Sequence, residues 1–301
     1  MNHASSKLVV PPGKKVKLAD IDPDDTHGMS KDRASPVLAK NLERLAVLQH
    51  MLYAEGRRAL LVVLQGIDAG GKDGTIRHVM SGLNPQGVTV HSFKAPSAEE
   101  LSHDFLWRCS RRLPARGAIA IFNRSHYEEV LVVRVHSELL EREQLPPKAR
   151  RGKLWQRRYR AINDWERYLV ENGFPVVKLF LNISREEQRR RFLKRIDRAE
   201  KNWKFSAGDV SERAWWDEYQ EAFSEMLSHT SSRWAPWYVI PADHKWFARA
   251  AVGAVVVKRL VELEPRYPVL GAEEARELAE AHARLVAEAP KGAPPDPAQP
   301  D

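Results

Sequence analysis

The sequence predicts an α/β fold in three layers: a parallel sheet of about five strands with helices on both faces. Three observations predict it. Two apolar runs, residues 59–65 and 118–122, are continuous rather than alternating, as strands covered on both faces are. Strand-like and helix-like segments alternate along the chain, with Gly, Pro and Asn marking the junctions. The first apolar run opens directly into a glycine-rich turn and then into helix-compatible residues.

Each element follows from its own period and punctuation. Residues 1–34 are polar and contain Pro11-Pro12-Gly13-Lys14-Lys15, which reads as an N-terminal arm; a helix is expected over 35–54. The strand at 59–65 leads through the glycine turn to a helix over 74–83, and Asn84-Pro85-Gln86-Gly87 is a turn. A second strand spans 88–93. Ser97 and Glu100 stand at capping-box spacing, so a helix is expected from there to about residue 112. The third strand, 118–122, ends at Asn123-Arg124-Ser125, where another helix is expected to begin.

A long helix over 153–172 is stopped by Gly173 and Pro175, and the fourth strand follows at 176–183. Ser184 with Glu187 opens a helix rich in cations, among them Arg185, Arg189, Arg190, Arg191, Lys194, Arg195 and Arg198. That helix runs into a breaker-rich stretch at 202–209, which reads as a lid spanning about 197–215. A helix over 211–228, a fifth strand at 237–240 and an amphipathic helix over 246–262 complete one doubly wound domain, residues 35–270. Residues 271–301 shift to Ala, Glu and Arg and then to a Pro-rich end, the composition of a marginal helix and a partly disordered tail.

Bulk composition narrows the class. At 301 residues and 43% hydrophobic, the chain has ample material for a core. Its single cysteine, Cys109, allows no internal disulfide and has no ligand cluster beside it, which points to a structural thiol and a reducing, cytoplasmic setting. No stretch approaches the 18 apolar residues of a membrane span, and the first thirty contain no long apolar run. The formal net charge of +8 attracts polyanions without distinguishing nucleic acid, anionic lipid or a phosphate polymer.

The glycine turn carries the chemistry. Gly66, Gly71 and Lys72 fit the G-x-x-x-x-G-K frame, in which backbone N–H groups and a helix N-terminus converge on phosphate oxygens. Ala69, Gly70, Gly74 and Thr75 complete the candidate cradle, and the glycines allow a close backbone approach to the ligand. Asp73 stands where that frame ordinarily has Ser or Thr, and Asp68 lies inside the turn. Two carboxylates in a phosphate site call for a hard cation between them and the ligand, so Asp68 and Asp73 are the candidate Mg²⁺ ligands, with Mn²⁺ as a substitute ion.

The third strand delivers Asn123-Arg124-Ser125-His126-Tyr127-Glu128 to the same edge of the sheet. Together with residues 66–73, this block resembles the polyphosphate kinase 2 family. The resemblance runs through residues 93–108, Asn202-Trp203-Lys204-Phe205 and residues 235–243, covering roughly 10–268. Asn123 with Glu128 is similar to the pattern of the class III members, which are understood to phosphorylate both AMP and ADP. The resemblance implies a P-loop kinase-like three-layer sandwich with a helical lid. It further implies Mg²⁺-dependent, reversible transfer of a terminal phosphoryl group from inorganic polyphosphate to adenine nucleotides, with guanine nucleotides left open.

The resemblance also implies homo-oligomers, dimeric or tetrameric. Its site residues fall on Asp68, Lys72 and Asp73 in the loop, Asn123, Arg124 and Glu128 after the third strand, and Arg191 and Arg195 beside the lid. The two arginines are four apart, so lid closure is expected to bring both onto the phosphates.

His126 reads as structural rather than as a phosphate carrier, since no orienting partner is evident in sequence. A second basic run at 148–160 interleaves Trp155 and Tyr159. It suits a guide for a long polyanion, an RNA groove with stacking aromatics, or a solvated helix whose aromatics face the core. Two other functions compete with the polyphosphate reading: an ATP-dependent small-molecule or nucleotide kinase on the same scaffold, and a nucleic-acid-binding P-loop ATPase, which ranks last.

Overall fold

The computed structural model describes residues 7–204 and 206–288, so the Pro-rich end of the expected tail lies outside the described residues. Five parallel strands form one sheet: β1 (Leu60–Gln65), β2 (Val88–Ser92), β3 (Ile119–Asn123), β4 (Val176–Asn182) and β5 (Trp237–Pro241), in spatial order β2-β3-β1-β4-β5. β1 is the middle strand of that order, and its six residues are all buried. All five strands end at the same edge. There Asn123 lies level with Leu64 of β1 and Ser92 of β2, and Gln65 lies level with Phe180 of β4.

The helices, in chain order, are α1 (Lys31–Glu55), α2 (Lys72–Val79), α3 (Ala98–Leu101), α4 (Trp107–Ser110), α5 (Val132–Val135), α6 (Pro147–Arg150), α7 (Leu154–Glu171), α8 (Arg185–Ile196), α9 (Ala207–Ser211), α10 (Trp216–Thr230), α11 (Lys245–Leu263) and α12 (Ala272–Ala287). The period-two side-chain alternation of the strands divides the core between the two faces. Leu60, Val62 and Leu64 pack with Leu45 and Leu52 of α1, Ile76 of α2 and Val252 and Val256 of α11. Leu61 and Val63 pack on the other face with Phe180, Tyr159 of α7 and Phe223 and Met226 of α10.

The strands and the longer helices fall within a few residues of their sequence expectation; three stretches differ. The single helix expected after Ser97 is two short ones. The Ser97–Glu100 capping box forms as expected, but Asp104 Oδ1 then accepts the Leu106 N–H (2.9 Å) and restarts the chain at α4. The helix expected after Ser125 is a 3₁₀ segment, His126–Val130, followed by α5, a second 3₁₀ segment at Ser137–Glu143 and α6. Ser125 Oγ accepts the Tyr127 N–H (3.2 Å), which tightens this first turn.

The third difference is the arm. Val10 N–H donates to the Trp237 carbonyl (2.9 Å) and Val239 N–H to that of Leu8 (2.8 Å), an antiparallel bridge along the outer edge of β5. Leu8, Val10 and Leu18 are buried. The few apolar residues among the arm's polar ones therefore cover a sheet edge that would otherwise be unpaired. The lid stretch is built from a 3₁₀ segment, Ala199–Lys204, and α9.

The chain divides into two compact units, Met1–Arg266 and Tyr267–Asp301. The second contains α12, whose start is capped by a Gly271 N–H bond to Glu274 Oε2 (2.7 Å).

Candidate active site

The strand ends bring the two predicted clusters together. β1 runs out at Gln65, and the chain turns through Gly66 with φ of 155°, where a Cβ would meet the Leu181 carbonyl oxygen at 2.9 Å. Gly70 is equally confined, with a Cβ placed 2.7 Å from the Ile67 carbonyl oxygen. Gly71, with φ of 99°, precedes the first turn of α2, which contains Lys72, Asp73, Gly74 and Thr75. Ala69 adopts a left-handed φ of 60° without being glycine, a cost of about 1–2 kcal/mol that the surrounding contacts offset.

Those contacts come largely from α8. Arg191 reaches beneath the loop, where its Nη1 donates to the carbonyls of Ala69 (3.2 Å) and Gly70 (2.8 Å). Nη2 donates to Ala242 (2.5 Å) and Asp243 (3.3 Å) beyond β5, and Nε to Glu187 (2.7 Å). Gln188 Nε2 donates to the Asp68 carbonyl (3.0 Å). Arg191 therefore differs from the expectation that it faces the phosphates beside Arg195. It is buried, and its guanidinium is engaged in holding the loop's backbone. Arg195, one turn further along, donates to Asp209 of α9 (3.1 Å) and so joins α8 to the lid stretch.

Lys72 is buried and donates Nζ to the carbonyls of Gly66 (2.5 Å) and Ile67 (3.2 Å). Burial, with Arg124 nearby, pushes its pKa down. Asp68 meets Arg124, whose Nη2 donates to Oδ1, while Arg124 Nη1 donates to Glu128 Oε2 (3.3 Å). Burial works to raise the Asp68 carboxyl, and Lys72 and Arg124 outweigh it, holding it below the usual carboxylate range. Burial likewise opposes the Arg124 charge, and Glu128 and Asp68 more than restore it. Arg124 is the second non-glycine at the site with a left-handed φ, 61°. Asn123 Nδ2 donates to Asp73 Oδ1 (2.8 Å), so the third strand's end is hydrogen-bonded to the first turn of α2.

Of these groups, Gly66, Asp68, Arg124, Glu128 and Gln188 border a cleft of about 420 Å³, its mouth included, whose remaining wall was not foreseen. Tyr219 and Phe223 of α10 and Leu131 and Val132 line it opposite Asp68 and Arg124. The Tyr219 hydroxyl donates to Glu212 Oε2 (2.9 Å), and burial, then Glu212, pushes its pKa up. Gln188 carries a faint sequence signal, since it lies three residues before Arg191 and shares its face. Tyr219 and Glu212 carry none, because their approach depends on how the lid stretch folds.

Mg²⁺ suits this donor set in one way only. Among the described residues no group of three or more His, Cys, Asp or Glu is arranged to hold a metal ion by itself. Arg124 occupies Oδ1 of Asp68, and Oδ2 has no hydrogen bond among the described residues. One or two carboxylates, completed by substrate oxygens and water, are the usual protein share of a phosphate-bound Mg²⁺ site.

Other candidates lie apart from the cleft. His126 is fully buried between Tyr127 and Trp165, its pKa lowered by burial, which matches the structural reading. Cys109 is buried too, its thiol pushed up to about 12 by burial. In the basic run, Tyr159 is buried and Trp155 packs against the core with Arg158 and Arg134 beside its ring. Their faces are not open to stack bases, so the core-facing alternative is the one observed.

Comparison with known proteins identifies the family and its fold. The family model described as "Polyphosphate kinase 2 (PPK2)" matches residues 28–267. The chain belongs to the polyphosphate kinase 2 family. It is 50% identical over 291 residues to an ADP-polyphosphate phosphotransferase of Rhodopseudomonas palustris, covering 95% of this chain and 100% of that one. It is 47% identical over 264 residues to an AMP/ADP-polyphosphate phosphotransferase of Meiothermus ruber, covering 87% and 95%. The crystal structure of Polyphosphate Kinase 2 from Arthrobacter aurescens TC1 superimposes with a TM-score of 0.83 at 41% identity, covering 94% of this chain and 96% of that one. The α/β sheet described above is thus the family's P-loop kinase-like fold.

Two outcomes are expected from the site's geometry. Gly70→Ala forces the loop off Ile67, and turnover should fall by about 100-fold, as a misplacement near 1 Å does, with the melting temperature little changed. The Asp68 pKa is depressed in the folded protein, so its contribution to stability is complete above pH ~4 and is lost as pH falls below that value. Asp68→Asn should therefore lose less melting temperature than wild type between pH 6 and pH 3, measured by calorimetry.

Proposed function

We propose that this enzyme transfers the terminal phosphoryl group of inorganic polyphosphate to AMP and ADP, giving ADP and ATP, in a reversible reaction. The observation that carries the proposal is the chain of charges that joins Asp68 of the glycine loop to Arg124 and Glu128 along one cleft, in a member of the polyphosphate kinase 2 family. The names of the Rhodopseudomonas and Meiothermus relatives support polyphosphate with ADP, and with AMP and ADP, as the substrate pairs.

An oxygen of the acceptor's terminal phosphate attacks the last phosphorus of the chain. The P–O–P bond breaks, and the shortened polymer leaves with the electron pair. Such a step needs in-line positioning and neutralisation of the equatorial oxygens, with little covalent help. Lys72 and Arg124 supply fixed positive charge, and the backbone N–H groups of Ala69 to Thr75 cradle phosphate oxygens. Asp68, with Asp73 on the other flank, would hold Mg²⁺, or Mn²⁺ in its place. When bound, such an ion would supply Lewis-acid neutralisation of phosphate charge.

Asn123 fixes Asp73, and Glu128 fixes Arg124 on the acceptor side. Residues 197–215 act as the lid. Arg195 travels with it through Asp209, while Arg191 keeps the loop in shape beneath. Lid closure excludes water, which would otherwise intercept the phosphoryl group.

The same reading places the enzyme in the cytoplasm as a dimer or tetramer of identical chains, with residues 35–270 as the catalytic domain and guanine nucleotides as further acceptors. Among the described residues no helix is long and apolar enough to cross a membrane. Purified protein with polyphosphate, Mg²⁺ and AMP should yield ADP and then ATP by chromatography; an equal rate of acceptor phosphorylation with ATP and no polymer would favour the competing kinase instead. Lys72→Ala and Asp68→Asn should each lower kcat by about 10²–10³-fold or more with the fold intact, as removal of one charge-stabilising group does elsewhere.

A further inference from the structure

Beneath the cleft lies a charged group that no step of the transfer uses. Lys178 sits mid-strand in β4, fully buried, and its Nζ donates to Glu166 Oε2 of α7 (2.6 Å), to the Tyr127 hydroxyl (2.9 Å) and to the Thr230 carbonyl ending α10 (2.6 Å). The Tyr127 hydroxyl in turn donates to Glu166 Oε1 (2.7 Å). Four elements meet at this one ammonium. Stability is a weak explanation for it, because the desolvation of a buried ion pair commonly cancels its attraction and apolar residues of similar volume serve as well.

Its position along the chain suggests another role. Tyr127 stands three residues after Arg124 and one before Glu128, the two cleft-facing charges on this segment. Between them the chain dips into the core: Ser125, His126 and Tyr127 are fully buried. Ser125 Oγ accepts from Gln65 Nε2 (3.1 Å) at the end of β1, and Tyr127 is held by Lys178 and Glu166. The segment has no regular helix to stiffen it, and it starts from a left-handed residue at Arg124. Two buried anchors therefore fix the direction in which Arg124 and Glu128 emerge.

We propose that Tyr127, Lys178 and Glu166 are positioning residues for phosphoryl transfer, holding Arg124 and Glu128 at the cleft through the buried hydroxyl of Tyr127. This rests on the reading of Arg124 as a group that stabilises the transferred phosphoryl. Tyr127→Phe removes the hydroxyl and keeps the ring and the direct Lys178–Glu166 bond, so it folds. The double variant Lys178→Met/Glu166→Leu replaces the pair by apolar side chains of similar length without leaving a buried charge unpaired.

The test compares wild type, both variants and Arg124→Ala with polyphosphate, Mg²⁺ and ADP, at a temperature at least about 20 °C below every melting transition, so that the folded fraction is the same throughout. Expected are a fall in kcat of about tenfold for Tyr127→Phe and more for the double variant, with the polyphosphate KM within about twofold of wild type. Amide hydrogen exchange should rise at residues 124–131 and stay unchanged in β1 and β4, a pattern that general destabilisation would not give. If Arg124→Ala lowers kcat while both buried variants keep wild-type kcat and exchange, the positioning role is overturned and the site reading stands. Wild-type kcat in Arg124→Ala overturns both.

Discussion

The ion pair between Asp68 and Arg124 is the contact on which the site depends. Asp68 belongs to the loop that leaves β1, and Arg124 to the segment that leaves β3. Parallel pairing brings these strand ends level, yet it does not decide which way the side chains point. The charges decide that. A carboxylate inside an anion-binding turn is unfavourable unless a cation stands beside it, and the guanidinium of Arg124 meets that need while Glu128 satisfies its second face. The left-handed backbone at Arg124 is tolerated because the pair rewards the orientation it gives.

A second layer of interactions keeps this arrangement from drifting. The glycine loop has few side chains of its own, so its carbonyls are held from outside by Arg191 and Gln188 of α8 and from inside by Lys72. α8 is in turn fixed at its start, where Ser184 caps Glu187 N–H and donates to Asp243 beyond β5. The loop, the helix that approaches it and the end of β5 are thus tied together largely through backbone carbonyls, which makes them sensitive to geometry. Such a frame suits a reaction in which placement supplies most of the acceleration.

Much of this was legible in the sequence, and the exceptions have physical reasons. Continuous apolar runs and a glycine turn identify buried parallel strands because few other arrangements bury both faces of a strand. The loop residues and Arg124 stood out in sequence because charge at a strand end beside a glycine turn has few structural explanations, and the structure brings Arg124 onto Asp68. Arg191 and Arg195 have different partners in this structure because four-residue spacing guarantees a shared face, not a shared neighbour. One turn of helix advances 5.4 Å, enough to put Arg191 under the loop and Arg195 against Asp209. The helices expected after Ser97 and Ser125 broke at side chains, Asp104 and Ser125, that captured backbone N–H groups locally. Tyr219 was invisible because its place in the cleft is set by the fold of the lid stretch, a long-range outcome with no local pattern.

The balance of charge explains how one cleft can serve two polyanionic substrates. Near the cleft Lys72 and Arg124 are offset by Asp68 and Glu128, so the site holds little excess positive charge of its own. A site with large fixed excess charge would bind the polymer tightly in its ground state and gain nothing in the transition state. Attraction over longer distances comes instead from the surplus of cations spread over the chain, a net +8 that acts on approach and is screened by salt. Because the four charges nearly cancel, the cleft's own residues orient the phosphates more than they hold them, and placement rather than tight ground-state binding is left to lower the barrier.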